Sequence, residues 1–92
     1  MSELAVWAPQ GALTFETATS SLDQARAVRP TCVDLTGVSE ADSTALALLV
    51  ALAREQAGRD RRLSIKAMPE GMAALADLYG VADLFDISAS DE

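Results

Sequence analysis

The stretch VDLTGVSEADSTALALLVALA, residues 33–53, decides the fold. It begins as an apolar strand, passes through a polar turn and continues as a helix that starts at Asp42. Aspartate suits that position because its carboxylate accepts hydrogen bonds from the free N–H groups of a helix start. After Asp42 no charged residue occurs until Arg54. Surface helices normally carry charges on their outer side, so the sequence raises the question of what covers this one.

At about 100° per residue, the helix predicted from Asp42 to about Ala57, before Gly58, has two different sides. Its core side is predicted to carry Leu46, Leu49, Val50, Ala53 and Ala57. Its outer side is predicted to carry Ser43, Thr44, Ala47, Leu48 and Ala51. Arg54 and Glu55 follow only at the end, so most of the outer side is uncharged.

Two explanations of this uncharged side remain open. Alanine is the best helix former, so exposed alanines need no function. Alternatively a partner protein covers the side, because charged residues are depleted at the centre of protein interfaces. Ser43 and Thr44 would then place hydroxyl groups at the rim, beside the free N–H groups of the helix start. A phosphate on Ser43 or Thr44 would be tolerated there and would put charge on the docking side.

The rest of the chain alternates between predicted strands and helices, which is typical of an α/β domain with helices packed on a sheet. Residues 4–7 and 12–15 are strand-like and predict an N-terminal hairpin, or a strand with a preceding edge segment. The segment TATSSLDQARAV predicts a helix that ends near Val28, TCVDL predicts a strand, and TGVSEA predicts a turn.

The C-terminal part continues the alternation. LSIKA predicts a half-buried strand with Leu63, Ile65 and Ala67 on one face. A helix is predicted to open at Pro69 and to end at Gly80, with an apolar side made of Met72, Leu75, Ala76 and Tyr79. VADLFDI predicts a short final strand or helical turn, and SASDE predicts a frayed acidic tail.

Composition limits the function classes. The 92 residues predict one domain, residues 1–92, and the net charge of −7 argues against nucleic-acid binding. The single cysteine, Cys32, excludes an internal disulfide and fits a reducing compartment. The N-terminus does not resemble a signal peptide, and the longest apolar run, residues 45–53, is too short to span a bilayer. These features predict a cytoplasmic protein without direct membrane insertion.

The sequence offers little for catalysis. It contains no histidine, no Gly-rich phosphate loop and no metal-ligand spacing. Asp34, Glu40 and Asp42 are close in sequence and could imitate a carboxylate pair or a weak cation site. Each has a simpler role: Asp34 can accept hydrogen bonds from turn N–H groups, Glu40 adds polarity to the turn, and Asp42 caps the helix. We therefore expect a non-enzyme without catalytic residues, cofactor or metal.

The same stretch resembles a STAS domain. That family has a strand ending in Asp-Leu, a short turn, and then Asp-Ser-(Ser/Thr)-Gly-Leu at the start of a helix. This chain has Asp34-Leu35, Val38 and then Asp42-Ser43-Thr44-Ala45-Leu46, with Ala45 where glycine is usual. The resemblance covers roughly residues 4–85. It implies about four strands in a mixed sheet, with helices packed against one side.

Two branches of the family are possible. The short chain and the segments ALALLVALAREQAGR and LADLYGVADLF are similar to MlaB, the small cytoplasmic subunit of Mla-type ABC transporters that move phospholipids between bacterial membranes. That resemblance implies an accessory subunit that docks on and stabilises an MlaF-like ATPase, with Ser43 at the contact, and that lies beside the inner membrane through the complex. The predicted partner-binding residues are Asp42, Ser43, Thr44, Ala47, Leu48 and Ala51. The alternative is an anti-sigma factor antagonist whose Ser43 is phosphorylated by a partner kinase.

Overall fold

The computed structural model describes residues 5–87. In chain order the elements are β1 (Val6–Trp7), β2 (Gly11–Leu13), α1 (Ala18–Val28), β3 (Cys32–Asp34), β4 (Val38–Ala41), α2 (Ser43–Ala57), β5 (Leu63–Lys66), α3 (Glu70–Leu78), a short 3₁₀ helix (Ala82–Leu84) and β6 (Phe85–Ile87). All three predicted helices are confirmed. The last segment contains both a helical turn and a strand, and the predicted tail, residues 88–92, lies outside the described residues.

Four strands form one sheet in the order β1-β3-β5-β6, which confirms the predicted α/β class and strand number. Every pair of strands within residues 5–87 is parallel, so the mixed arrangement expected for the sheet is not found there. The strand order follows the chain without reversal. Because crossovers between parallel strands are right-handed, the helices that connect them share one face of the sheet.

The predicted N-terminal hairpin is wrong. β2 pairs in parallel with β4, and the Gly11 N–H donates to the Gly37 carbonyl at 2.9 Å. Because β1 and β2 both pair in parallel with the segment from Cys32 to Ala41, the chain continues past Pro9 instead of reversing.

The predicted turn TGVSEA is also shorter than expected, because residues 38–41 form β4. The turn closes early because Asp34 accepts hydrogen bonds from the N–H of Thr36 at 3.0 Å and from its hydroxyl at 2.6 Å. The role expected for the Asp34 carboxylate, as an acceptor for a turn N–H group, is confirmed.

The core lies between the sheet and the helices. Alternation along the strands turns large apolar side chains toward the helices, where they are buried: Trp7, Val33, Leu63, Ile65 and Phe85. On the opposite face of the sheet Val6, Lys66 and Asp86 are exposed. The helices therefore cover one side of the sheet, as expected. Within residues 5–87 no helix combines the length and the apolar character needed to cross a membrane.

α2 is the central helix, in contact with α1, α3 and β5. Its buried side consists of Ala45, Leu46, Leu48, Leu49, Leu52, Ala53 and Gln56. The core side predicted from the sequence is partly wrong, because Val50 is only half-buried and Ala57 is exposed. Tyr79, predicted to lie on the apolar side of α3, is 58% exposed just beyond the end of that helix.

Candidate functional site

The start of α2 is held by one carboxylate with two partners. Oδ1 of Asp42 accepts a hydrogen bond from the Thr44 N–H at 2.9 Å, which confirms Asp42 as the N-cap. Oδ2 accepts a hydrogen bond from the Phe15 N–H at 3.1 Å. Asp42 thus joins the first turn of α2 to the chain segment that follows β2.

These N–H donors lower the pKa of Asp42, with the Phe15 N–H as the largest cause. The hydroxyl and N–H of Thr36 likewise lower the pKa of Asp34. In the unfolded chain both carboxyl groups return to their ordinary, higher pKa. Their contribution to stability is therefore complete above the unfolded pKa and is lost as the pH falls through the folded pKa.

We expect the free energy of unfolding to decrease when the solution is acidified below about pH 5, and to decrease less steeply in Asp42→Asn. Asparagine does not titrate, so in this variant only one of the two protonations, that of Asp34, lowers the free energy of unfolding. Urea unfolding at a series of pH values measures both slopes. Identical slopes for the two proteins would show that Asp42 titrates alike in the folded and unfolded chains.

The predicted outer side of α2 is mostly where it was expected. Ser43 and Ala47 are exposed, and Thr44 and Ala51 are half-buried. The prediction that Leu48 faces outward is wrong, because its side chain is only 5% exposed.

The physical reason for that difference is the rotation of α2 about its axis. The helix buries Gln56, whose side-chain Nε2 donates to the Pro30 carbonyl at 2.7 Å. In this rotation Leu48 faces α1 and Ala57 faces solvent. At 100° per residue the four leucines of α2 share one half of the helix, with Gln56 near its middle and Ala57 at its edge, so their burial sets this rotation and the bond to Pro30 satisfies the buried amide.

The outward surface of α2 is a ridge between two grooves. One groove, about 230 Å³, lies against α1 and is lined by Thr19 and Leu22 of α1 and by Thr44, Ala47, Leu48 and Ala51 of α2. The other, about 200 Å³, lies toward α3 and is lined by Ser43, Leu46, Ala47, Val50, Tyr79 and Val81. Ala47 belongs to both. We call the ridge the neutral face, defined as Ser43, Thr44, Ala47, Val50 and Ala51.

Two large exposed side chains lie near the neutral face and were not among the predicted partner-binding residues. Phe15 is 78% exposed and its N–H is bonded to the cap of α2, whereas Tyr79 lines the groove toward α3. The sequence had placed Phe15 in a strand. The flanking Thr14 and Thr17, which favour turns, were the available signal against that strand. For Tyr79, the signal for exposure was the glycine at position 80, which predicts the end of the helix. A side chain at the end of a helix is less constrained to face the core.

The carboxylates considered for a cation site have separate partners. Asp34 bonds Thr36, whereas Asp42 bonds Phe15 and Thr44. Across residues 5–87, no group of three or more His, Cys, Asp or Glu side chains is arranged to hold a metal ion.

A family model described as "Mlab, STAS domain" matches residues 7–86. The chain belongs to the MlaB-type STAS domain family. The matched part of this STAS domain runs from the last residue of β1 through the whole of α2 to the second residue of β6. A search of curated proteins found no significant match. STAS domains generally serve as non-catalytic modules that bind other proteins.

Proposed function

We propose that this STAS domain is a non-catalytic accessory subunit that binds and stabilises the ATPase of a phospholipid-transporting ABC system through the neutral face. The observation that carries the proposal is an uncharged, outward ridge between two apolar grooves, in a chain with a net charge of −7. The partner is an MlaF-like ATPase subunit, and the complex places this cytoplasmic domain beside the inner membrane.

The physics of the neutral face supports a protein partner. Covering Ala47, Val50 and Ala51 removes apolar surface from water and desolvates no charge, so the contact avoids the main cost of a polar interface. The two grooves offer places for apolar side chains of the partner on either side of Ala47. Helix propensity explains an exposed alanine, but it gives no reason for grooves on both sides or for the exposed ring of Tyr79.

Stabilisation of the ATPase follows from binding alone. A subunit that binds the folded ATPase and not its unfolded chain shifts the folding equilibrium of the ATPase toward the native state. The STAS domain needs no reaction of its own for this effect.

Ala47→Glu is expected to weaken ATPase binding at least about tenfold, because it buries a charge where both grooves meet. Ala57→Glu is the matched control, since Ala57 is an exposed alanine of the same helix outside both grooves. Its affinity should stay within about twofold of wild type, as expected for a surface site away from the contact. Titration calorimetry with the purified ATPase measures both. Equal affinities for the two variants would remove the neutral face from the interface.

The alternative function is that of an anti-sigma factor antagonist phosphorylated at Ser43, with Thr44 as a second acceptor. Its support is the exposure of Ser43 at the first position of α2, where a phosphate would lie beside free N–H groups. Intact-mass measurement after incubation with ATP and a cognate anti-sigma kinase distinguishes the two functions. A phosphate on Ser43 would favour the antagonist, whereas ATPase binding by the unmodified domain favours the accessory subunit.

A further inference from the structure

The turn that carries Phe15 is held by hydrogen bonds on both of its sides. The Thr17 hydroxyl accepts a hydrogen bond from the Thr14 N–H at 3.0 Å and lies 3.1 Å from the Ala12 carbonyl. The Thr17 N–H donates to the Thr14 carbonyl at 3.0 Å. With the bond from the Phe15 N–H to Asp42, the backbone of residues 14–17 is fixed to both β2 and α2. We call residues 14–17 the Phe15 turn.

The side chain on this fixed turn is the most exposed large apolar group among residues 5–87, at 78%. An aromatic side chain can bury about 150–250 Å², and little of that surface is covered here. The hydrogen bonds order the backbone of the turn while the ring remains in water. Because the backbone that carries the ring is already ordered, less conformational entropy is lost when a partner binds. Pre-organised contact residues gain affinity in this way.

The Phe15 turn is continuous with the neutral face. The N–H groups of Phe15 and Thr44 both donate to the Asp42 carboxylate, so the two backbone segments lie close together. Thr44 lines the groove toward α1, and α1 itself begins three residues after Phe15. The backbone of Phe15 therefore lies next to the start of α2, near the Thr44 end of that groove.

We infer that Phe15 is the aromatic anchor of the partner interface, that Asp42 is its positioning residue, and that the ATPase offers an apolar pocket with a basic rim. This inference rests on the proposed function, because it extends the same interface by one residue cluster. Aromatic residues dominate the energy of many protein interfaces, which suits a ring presented in this way. The basic rim is the charge complement of two exposed carboxylates, Glu16 within the turn and Asp42 bonded to it, with Glu40 beside Ala12 of β2 as a third.

Phe15→Ala is expected to weaken binding to the purified ATPase at least about 30-fold, the usual loss for an interface anchor. Val28→Ala is the matched control, because Val28 is also an exposed apolar residue but lies at the opposite end of α1. Its affinity should stay within about twofold of wild type. Circular dichroism of each variant checks that the fold is kept, and Phe15→Leu, which retains an apolar side chain, should recover part of the loss.

Asp42→Asn tests the positioning role. Thr44 and Phe15 donate to different oxygens of Asp42, and asparagine has an NH2 group in place of one of them. With the amide oxygen at the helix cap, the NH2 group faces the Phe15 N–H and cannot accept from it. We expect it to weaken binding about fivefold in the wild-type background and less than about twofold in the Phe15→Ala background, as for residues that act through each other. The same loss in both backgrounds would overturn the positioning role.

The outcomes separate this inference from the proposed function. Loss of binding in Ala47→Glu with wild-type affinity in Phe15→Ala would overturn the anchor and leave the ATPase interface standing. Wild-type affinity in both variants would overturn the interface itself. Sedimentation of the STAS domain alone tests whether a second copy of the chain, instead of the ATPase, covers Phe15. A dimer that Phe15→Ala converts to a monomer, with ATPase affinity unchanged, would also overturn the anchor.

Discussion

Replacing Leu49 with alanine is expected to lower the free energy of unfolding by about 3 kcal/mol. Leu49 is 0% exposed and lies on the buried side of α2, the helix in contact with both other helices and with β5. The substitution removes apolar contacts and leaves a cavity that the packed layers refill only in part. A 92-residue domain has roughly 5–14 kcal/mol of total stability, so this single change removes a large share of it.

Urea unfolding followed by circular dichroism measures the effect, and Leu78→Ala is the matched control. Leu78 is 76% exposed, so its truncation should change the free energy of unfolding by less than about 0.5 kcal/mol. Equal losses in the two leucine variants would mean that the buried side of α2 is not the centre of the core.

The Leu49 variant also separates the two roles of α2. Its folded fraction should bind the ATPase with an affinity within about twofold of wild type, because the neutral face is unchanged. Ala47→Glu should do the reverse, with weakened binding and nearly unchanged stability, since Ala47 is exposed. Under the proposed function, one side of α2 belongs to the core and the other to the partner interface, so the two sides can be altered independently.

Local chemistry made much of α2 and its neighbours predictable. A carboxylate at Asp42 and a glycine at Gly58 mark the ends of the helix, and both signals act within a few residues. The burial of Leu63 and Ile65 in β5 follows from simple alternation in the same way. The outward position of Ser43 and Ala47 was also predictable, because the helical period alone separates them from the leucines.

Interactions between distant segments explain what was missed. The pairing of β2 with β4 depends on a register between Gly11 and Val38, which no local pattern specifies. The turn at Phe15 depends on a bond from its N–H to Asp42, 27 residues away. The burial of Gln56 likewise depends on a distant acceptor, the carbonyl of Pro30.

Gln56→Ala is expected to lower the free energy of unfolding by about 3 kcal/mol, and Gln56→Leu by about 2 kcal/mol. The Gln56 side chain is 4% exposed, and its Nε2 donates to the carbonyl of Pro30, which is also buried. Both substitutions remove that donor from a buried acceptor, whereas alanine also leaves a cavity. Urea unfolding of the pair therefore separates the hydrogen bond from the volume of the side chain, and the difference between them should be about 1 kcal/mol.

The same contact connects the core to the interface. Gln56 holds the C-terminal half of α2 against the segment between α1 and β3, and so supports the rotation that the buried leucines set. In Gln56→Leu that hydrogen bond is gone while the space stays filled, so the rotation of α2 then depends on packing alone. We expect the folded Gln56→Leu protein to bind the ATPase about two- to fivefold more weakly, a smaller loss than that of Ala47→Glu. Unchanged affinity together with lower stability would mean that Leu48 and the other packed side chains are sufficient to orient the neutral face.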